Sequence, residues 1–242
     1  MEKKRISAIL FDLDNTLIDT AGAGRIAIQK VSESLRTTLG PQCNVSDICD
    51  RFTRKLLHES FDPSADRTID DVRTGHWQEA IQEVQGSDPG HALASDCYYT
   101  WKHTRLQHLA LTPQVQTLLE ELKKNYKLLL LTNGEAKTQR EKIEAVECSA
   151  FFDIMVVGGE HAEEKPAVAI FSHCFELLGV KPQDCVMVGD SLSTDIVGGF
   201  NARVRATVWI NSKGVPLPED SVKPDYTVPS VLDLPGILAQ LD

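Results

Sequence analysis

The stretch ILFDLDNTLID, residues 9–19, decides how the rest of the chain is read. An apolar run suited to a buried strand ends on two aspartates, Asp12 and Asp14, with Asn15 and Thr16 directly after them. Ending such a strand on carboxylates brings no packing benefit, because a buried charge is costly unless it is paired. Residues two apart on a strand face the same side. The two carboxylates are therefore expected to crowd together, a repulsion relieved by a cation or a shared proton.

Working outward, the runs at 6–11, 127–131, 154–157, 185–188 and 206–210 are short, apolar and rich in Leu or β-branched residues, as strands buried on both faces are. Helical patterns follow three of them: KTQREKIEAVEC, PAVAIFSHCFELLG and STDIVGGFNA. This alternation predicts an α/β fold, a Rossmann-like parallel sheet with helices on both faces. More than a hundred residues separate the first two runs. They carry four helical patterns punctuated by turn chemistry at GPQCN, FDPSAD and GSDPG. The expected organisation is a core made of residues 1–19 and 108–242, with a helical domain, residues 20–107, inserted in it. IDTAGAG, with Gly22 and Gly24, reads as a hinge, and the Pro-rich tail as a short edge strand at 226–228 and a closing helix from about residue 230.

Composition narrows the partners. The chain has 242 residues, 42% hydrophobic and 25% charged, the profile of an ordinary globular protein with a sizeable core. A net charge of −10 disfavours nucleic acid and anionic membranes. The six cysteines are scattered without a C-x-x-C pair and read as reduced, buried thiols. MEKKRISAILFD meets two aspartates after a few apolar residues, so it is not read as a secretory leader, and no run reaches the length of a membrane span. The cytoplasm is the expected compartment.

Ligands of open α/β sheets bind beyond the carboxyl ends of the strands. Four expected strands end there on chemically useful groups: Asp12 and Asp14; Thr132 and Asn133; Lys165 in VVGGEHAEEKP; and Asp190 and Asp195 in VGDSLSTD. Taken singly, Thr132 fits a helix cap, Lys165 a solvated lysine at a helix start, and Asp190, Ser193 and Asp195 capping positions. Their convergence points to a shared site.

In this order, DLDNTL, LTNG, EEKP and GDSLSTD resemble the four motifs of the haloacid dehalogenase superfamily, and the helical insert resembles its C1 cap. Asn15 stands where members often carry Gly. The resemblance implies a phosphomonoester hydrolase working through an aspartyl-phosphate, with Asp12 as nucleophile, Asp14 as general acid and base, and Lys165 as the neutralising cation. It implies phosphate binding by Leu13, Asp14, Thr132, Asn133 and Lys165. It further implies Mg²⁺ held by Asp12, the Asp14 main-chain carbonyl and Asp190, with Asp195 supporting. The cap segments NTLIDTAGAGRIAIQKV, DDVRTGHWQEAIQE and CYYTWKHTRLQHL resemble the branch of the superfamily that acts on a phosphorylated sugar acid. Phosphoglycolate or sugar-phosphate hydrolysis and sugar phosphomutation share the same core. A sugar acid brings a carboxylate suited to an arginine fork. Arg73 and Arg105, each near a tryptophan, are the cap candidates, and Arg25 is a third; His76 and His103 read as structural or exposed.

Overall fold

A computed structural model of the chain describes residues 6–241; the basic stretch 1–5 and Asp242 lie outside them. In chain order the elements are β1 (Ala8–Phe11), α1 (Thr20–Leu39), α2 (Val45–Leu57), α3 (Ile69–Gln85), α4 (His91–Gln107), α5 (Pro113–Lys123), β2 (Lys127–Thr132) and α6 (Ala136–Ala145). Then come β3 (Ile154–Val157), α7 (Val168–Leu178), β4 (Cys185–Gly189), α8 (Val197–Asn201), β5 (Ala206–Ile210), β6 (Tyr226–Val228) and α9 (Leu234–Leu241). Two compact units result: one runs to Asp19 and resumes at Ala110, the other spans Thr20–Leu109.

The first unit carries a six-stranded sheet in the order β3-β2-β1-β4-β5-β6, with every pairing parallel. Strand order reverses between β1 and β4, which is where such sheets open a crevice for ligands. The strands are apolar because both faces are covered: every residue of β1, β4 and β5 is buried. On one face Leu10, Leu129, Leu131 and Met187 pack against Phe171, Cys174, Phe175 and Leu178, the inward stripe of α7.

Some boundaries differ from the sequence reading for local reasons. β1 opens at Ala8 rather than residue 6, although Ser7 still exchanges backbone hydrogen bonds with Asp184 and Lys127 at 2.8 and 2.9 Å. α7 opens at Val168, so Lys165 lies in the preceding loop and not at a helix cap. Thr132 caps no helix either, because Glu135 takes that place, accepting from the amides of Lys137 and Thr138. STDIVGGFNA opens with a π-helical turn, Leu192–Ile196, before the short α8. Gly22 and Gly24, read as a hinge, lie inside α1.

The second unit is built from α1–α4 around Val31, Leu35, Ile48, Phe52, Trp77, Ile81, Tyr98 and Trp101. Phe52 stacks on Trp77 with centroids 3.9 Å apart and meets Trp101 edge-on at 5.3 Å. Thr68 and Asp71 close a capping box at the start of α3, satisfying backbone donors that the helix leaves unpaired. Among the described residues, no helix is long and apolar enough to cross a membrane. Because Trp77 is fully buried, Trp77→Ala should destabilise this unit by about 3–5 kcal/mol. Urea unfolding followed by the remaining tryptophans reads that loss, and a change under about 1 kcal/mol would contradict the packing described.

Candidate active site

β1 ends at Phe11, and Asp12 stands just past it, its amide still bonded to the Val188 carbonyl of β4 at 2.9 Å. The Asp12 carboxylate is nearly buried. One oxygen accepts from Lys165 Nζ at 2.8 Å and the other from the Thr16 hydroxyl at 3.1 Å. Lys165, 2% exposed, also donates to Asp195 Oδ1 at 2.8 Å and to the Leu131 carbonyl at 2.7 Å. Three acceptors thus match the three hydrogens of the ammonium.

Charge balance decides the electrostatics. Burial pushes the Asp12 carboxyl up to about 7; Lys165 opposes this, while Asp195 and Asp14 add to it. Burial, with Asp195 and Asp14, likewise pushes Asp190 up to about 6. Burial alone would lower Lys165, but Asp12 and Asp195 more than offset it and hold the lysine above its usual value. Two buried lysines, Lys165 and Lys142, face four carboxylates here, so the site favours a further cation.

Carboxylate oxygens of Asp12, Asp190 and Asp195 lie within 4.8 Å of one another, a hard-oxygen set suited to a divalent cation. Like Asp12, Asp195 has both carboxylate oxygens engaged. Its Oδ1 accepts from Lys165 and its Oδ2 from the Ser191 amide at 3.0 Å. Ser193 is exposed, and Ser191 caps the turn instead.

The remaining predicted residues sit close by. Thr132 ends β2 and is buried. The Asn133 side chain grips the Lys165 backbone at both ends, donating to its carbonyl at 2.7 Å and accepting from its amide at 3.0 Å. Leu13 accepts from the amides of Leu17 and Ile18, closing a tight turn. Within it Asn15 takes a left-handed φ of 58°, a region that glycine and asparagine visit more readily than other residues. This accounts for Asn at a position where glycine is frequent.

Asp14 lies near enough to Asp12 to add to its raised carboxyl. The strand has already ended, and Asp14 has its own lysine: Lys142 Nζ lies 2.8 and 2.7 Å from its two carboxylate oxygens. Gln139 donates to the same carboxylate at 3.0 Å and to Thr132 Oγ1 at 2.7 Å. Sequence reading missed both residues. Their only signal is polar side chains three apart on α6, which also describes a solvated helix face.

In the helical unit, Arg73 is engaged by Glu59, with its guanidinium Nη2 2.8 Å from a carboxylate oxygen and Nε 3.1 Å from both. His76 Nε2 lies 3.3 Å from the same group. Burial would raise Glu59, but the His76 imidazole and the Arg73 guanidinium beside it outweigh burial and hold the carboxyl below its usual range. A substrate carboxylate would have to displace Glu59 from Arg73. Arg105 covers the Trp101 ring at 4.7 Å. His103 is exposed beside Tyr99. Arg25 is exposed and lines a cavity of about 550 Å³ between α1 and α2, together with Arg36, Asp50 and Trp101.

Gly189, the last residue of β4, faces Asp195 so closely that a Cβ there would fall 2.1 Å from Oδ2 and 2.3 Å from Cγ. Gly189→Ala should therefore displace Asp195 and cost about 1–3 kcal/mol. Gly24→Ala in α1 has open space around it and should instead gain about 0.5–1 kcal/mol. Melting temperatures moving in opposite directions test the pair.

Residues 9–209 match the family model described as haloacid dehalogenase-like hydrolase. N-acylneuraminate-9-phosphatase of Rattus norvegicus is 54% identical over 243 residues, covering 100% of this chain and 97% of that protein. The protein of that name from Homo sapiens is 52% identical over 242 residues, with the same coverage. A HAD hydrolase of Bacillus subtilis, solved bound to magnesium, shares the fold with a TM-score of 0.71 at 23% identity, covering 98% of this chain and 100% of that one. With its catalytic-loop motifs at the ends of parallel strands and a family match across most of its length, the chain belongs to the haloacid dehalogenase-like hydrolases.

Proposed function

We propose that this chain is a Mg²⁺-dependent phosphomonoester hydrolase that cleaves N-acylneuraminate 9-phosphate to the free sugar acid and phosphate. The carrying observation is the buried Lys165 ammonium bridging Asp12 and Asp195 at 2.8 Å each. It leaves the Asp12 carboxylate held at the end of a central strand with a cation beside it, as nucleophilic attack on a phosphate dianion requires. The substrate follows from full-length relatives that bear its name.

In this reading Asp12 attacks phosphorus, and Asp14, protonated in the substrate complex, gives that proton to the leaving alkoxide oxygen. Asp14 then takes one from the water that hydrolyses the aspartyl-phosphate. The Thr132 hydroxyl and the backbone near Leu13, Asp14 and Asn133 meet the phosphoryl oxygens, and Lys165, its three hydrogens already placed, acts on them as a nearby positive charge. Asp12, Asp190 and the Asp14 main-chain carbonyl would hold the metal, with Asp195 fixing Lys165. When bound, the metal supplies positive charge that offsets repulsion between the carboxylates and the incoming phosphate. The helical unit, as cap, reads the sugar acid. Arg73, Arg105 and Arg25 are the proposed cap residues for its carboxylate, and at Arg73 the substrate would have to displace Glu59. A phosphorylated sugar acid is thus the proposed small-molecule partner, and the cytoplasm the proposed compartment.

Phosphate release with Mg²⁺ tests this across N-acetylneuraminate 9-phosphate, phosphoglycolate and hexose phosphates. The sugar-acid phosphate should lead in kcat/KM by about a hundredfold, roughly 2.7 kcal/mol of discrimination. Asp12→Asn or chelation of the metal should abolish turnover. A flat profile would sink the substrate assignment, and release that survives Asp12→Asn would sink the mechanism.

A further inference from the structure

Asp14 lies beyond the strand that fixes Asp12, so the sheet does not set where its carboxylate points. Two side chains of α6 contact it instead. Lys142, only 5% exposed, spans both carboxylate oxygens, and Gln139, 2% exposed, bonds one of them. Burying a lysine against a partly exposed carboxylate costs desolvation and side-chain entropy that a surface pair would avoid. The fold nevertheless sends Lys142 there.

Gln139 extends the connection. Its amide nitrogen is within hydrogen-bond reach of Asp14, of Thr132 Oγ1 at 2.7 Å and of the Asn133 carbonyl. A hydroxyl that accepts from an amide has its own hydrogen left to donate. Two amide hydrogens serve these three acceptors, and when one is given to Thr132 the hydroxyl's own hydrogen is left for another acceptor. One helical turn therefore ties the Asp14 carboxylate to the hydroxyl at the tip of β2.

We propose that Lys142 and Gln139 are positioning residues for phosphoryl transfer, holding the Asp14 carboxylate and the Thr132 hydroxyl in register from one turn of α6. The inference rests on the phosphatase reading and assigns these two residues a place in it. Neither touches the phosphate, and both act through a residue that does.

The leaving group separates this from a merely structural role. Attack of Asp12 on p-nitrophenyl phosphate expels a stable phenolate that needs no proton, whereas an alkyl phosphate leaves only with one from Asp14. In Lys142→Met, single-turnover cleavage of the alkyl phosphate should fall by about 30-fold, within the range by which a general acid accelerates such steps. The p-nitrophenolate burst should stay within about threefold of the parent. Calorimetry with inorganic phosphate, a readout independent of turnover, should give a Kd within about threefold of the parent. Equal losses on both substrates, or none on either, would overturn the proposal. A tenfold weaker Kd would also overturn it, making Lys142 a phosphate-binding cation. Lys142→Gln, which keeps a donor, is read in the same assays should Lys142→Met fail to fold. An unaltered chain that cleaves neither ester would refute the phosphatase reading and this proposal with it, whereas activity insensitive to Lys142 refutes the proposal alone.

Discussion

The structure of the core depends on one buried ammonium. Lys165 places its three hydrogens on Asp12, Asp195 and the Leu131 carbonyl, and these acceptors come from three different parts of the sheet. Asp12 follows β1, Leu131 belongs to β2, and Asp195 lies in the turn after β4. An uncompensated charge at this depth would be costly, so the strand ends are constrained to converge on it. The compensation is partial. Two carboxylates share one cation, with Asp190 close by, and the raised Asp12 and Asp190 are the direct consequence. The surplus negative charge gives a divalent cation a reason to bind where a phosphate alone would be repelled.

Backbone features that look unrelated serve that ammonium. Gly189 lacks a Cβ because Asp195 occupies its space. The Asn133 amide clasps the Lys165 main chain from both sides, so the lysine is aimed by its backbone as well as by its partners. Asn15 adopts the left-handed turn that brings the chain back after Leu13, closing the loop that carries Asp14. Each is a local constraint whose reason lies in the position of a charge several ångströms away.

Legibility in the sequence followed how each residue is held. Asp12, Thr132 and Asp190 directly follow or end apolar runs that could only be strands, so their meeting was readable from order alone, and the six-stranded parallel sheet with it. Lys165 and Asp195 were readable by motif, though not the loop and π-helical turn that present them. Lys142 and Gln139 were invisible because a polar residue on a helix has the same text whether it faces water or a carboxylate. Arg73 was singled out for an anion but already has one in Glu59, fourteen residues earlier. Sequence order carries no sign of such a partner, since the loop between them sets the contact.

The two aspartates that opened the reading are held in unlike ways, and the difference separates their chemistry. Asp12 belongs to the frame: its amide is bonded to β4, and its carboxylate is fixed by Lys165 and Thr16. Such rigidity suits the nucleophile proposed at this position, because attack requires one distance and one line. Asp14 stands in a turn, outside the ladder, and depends on side chains of α6 for its direction. Two residues of spacing, with a strand ending just before them, are enough to hold one carboxylate through the sheet and the other through a helix.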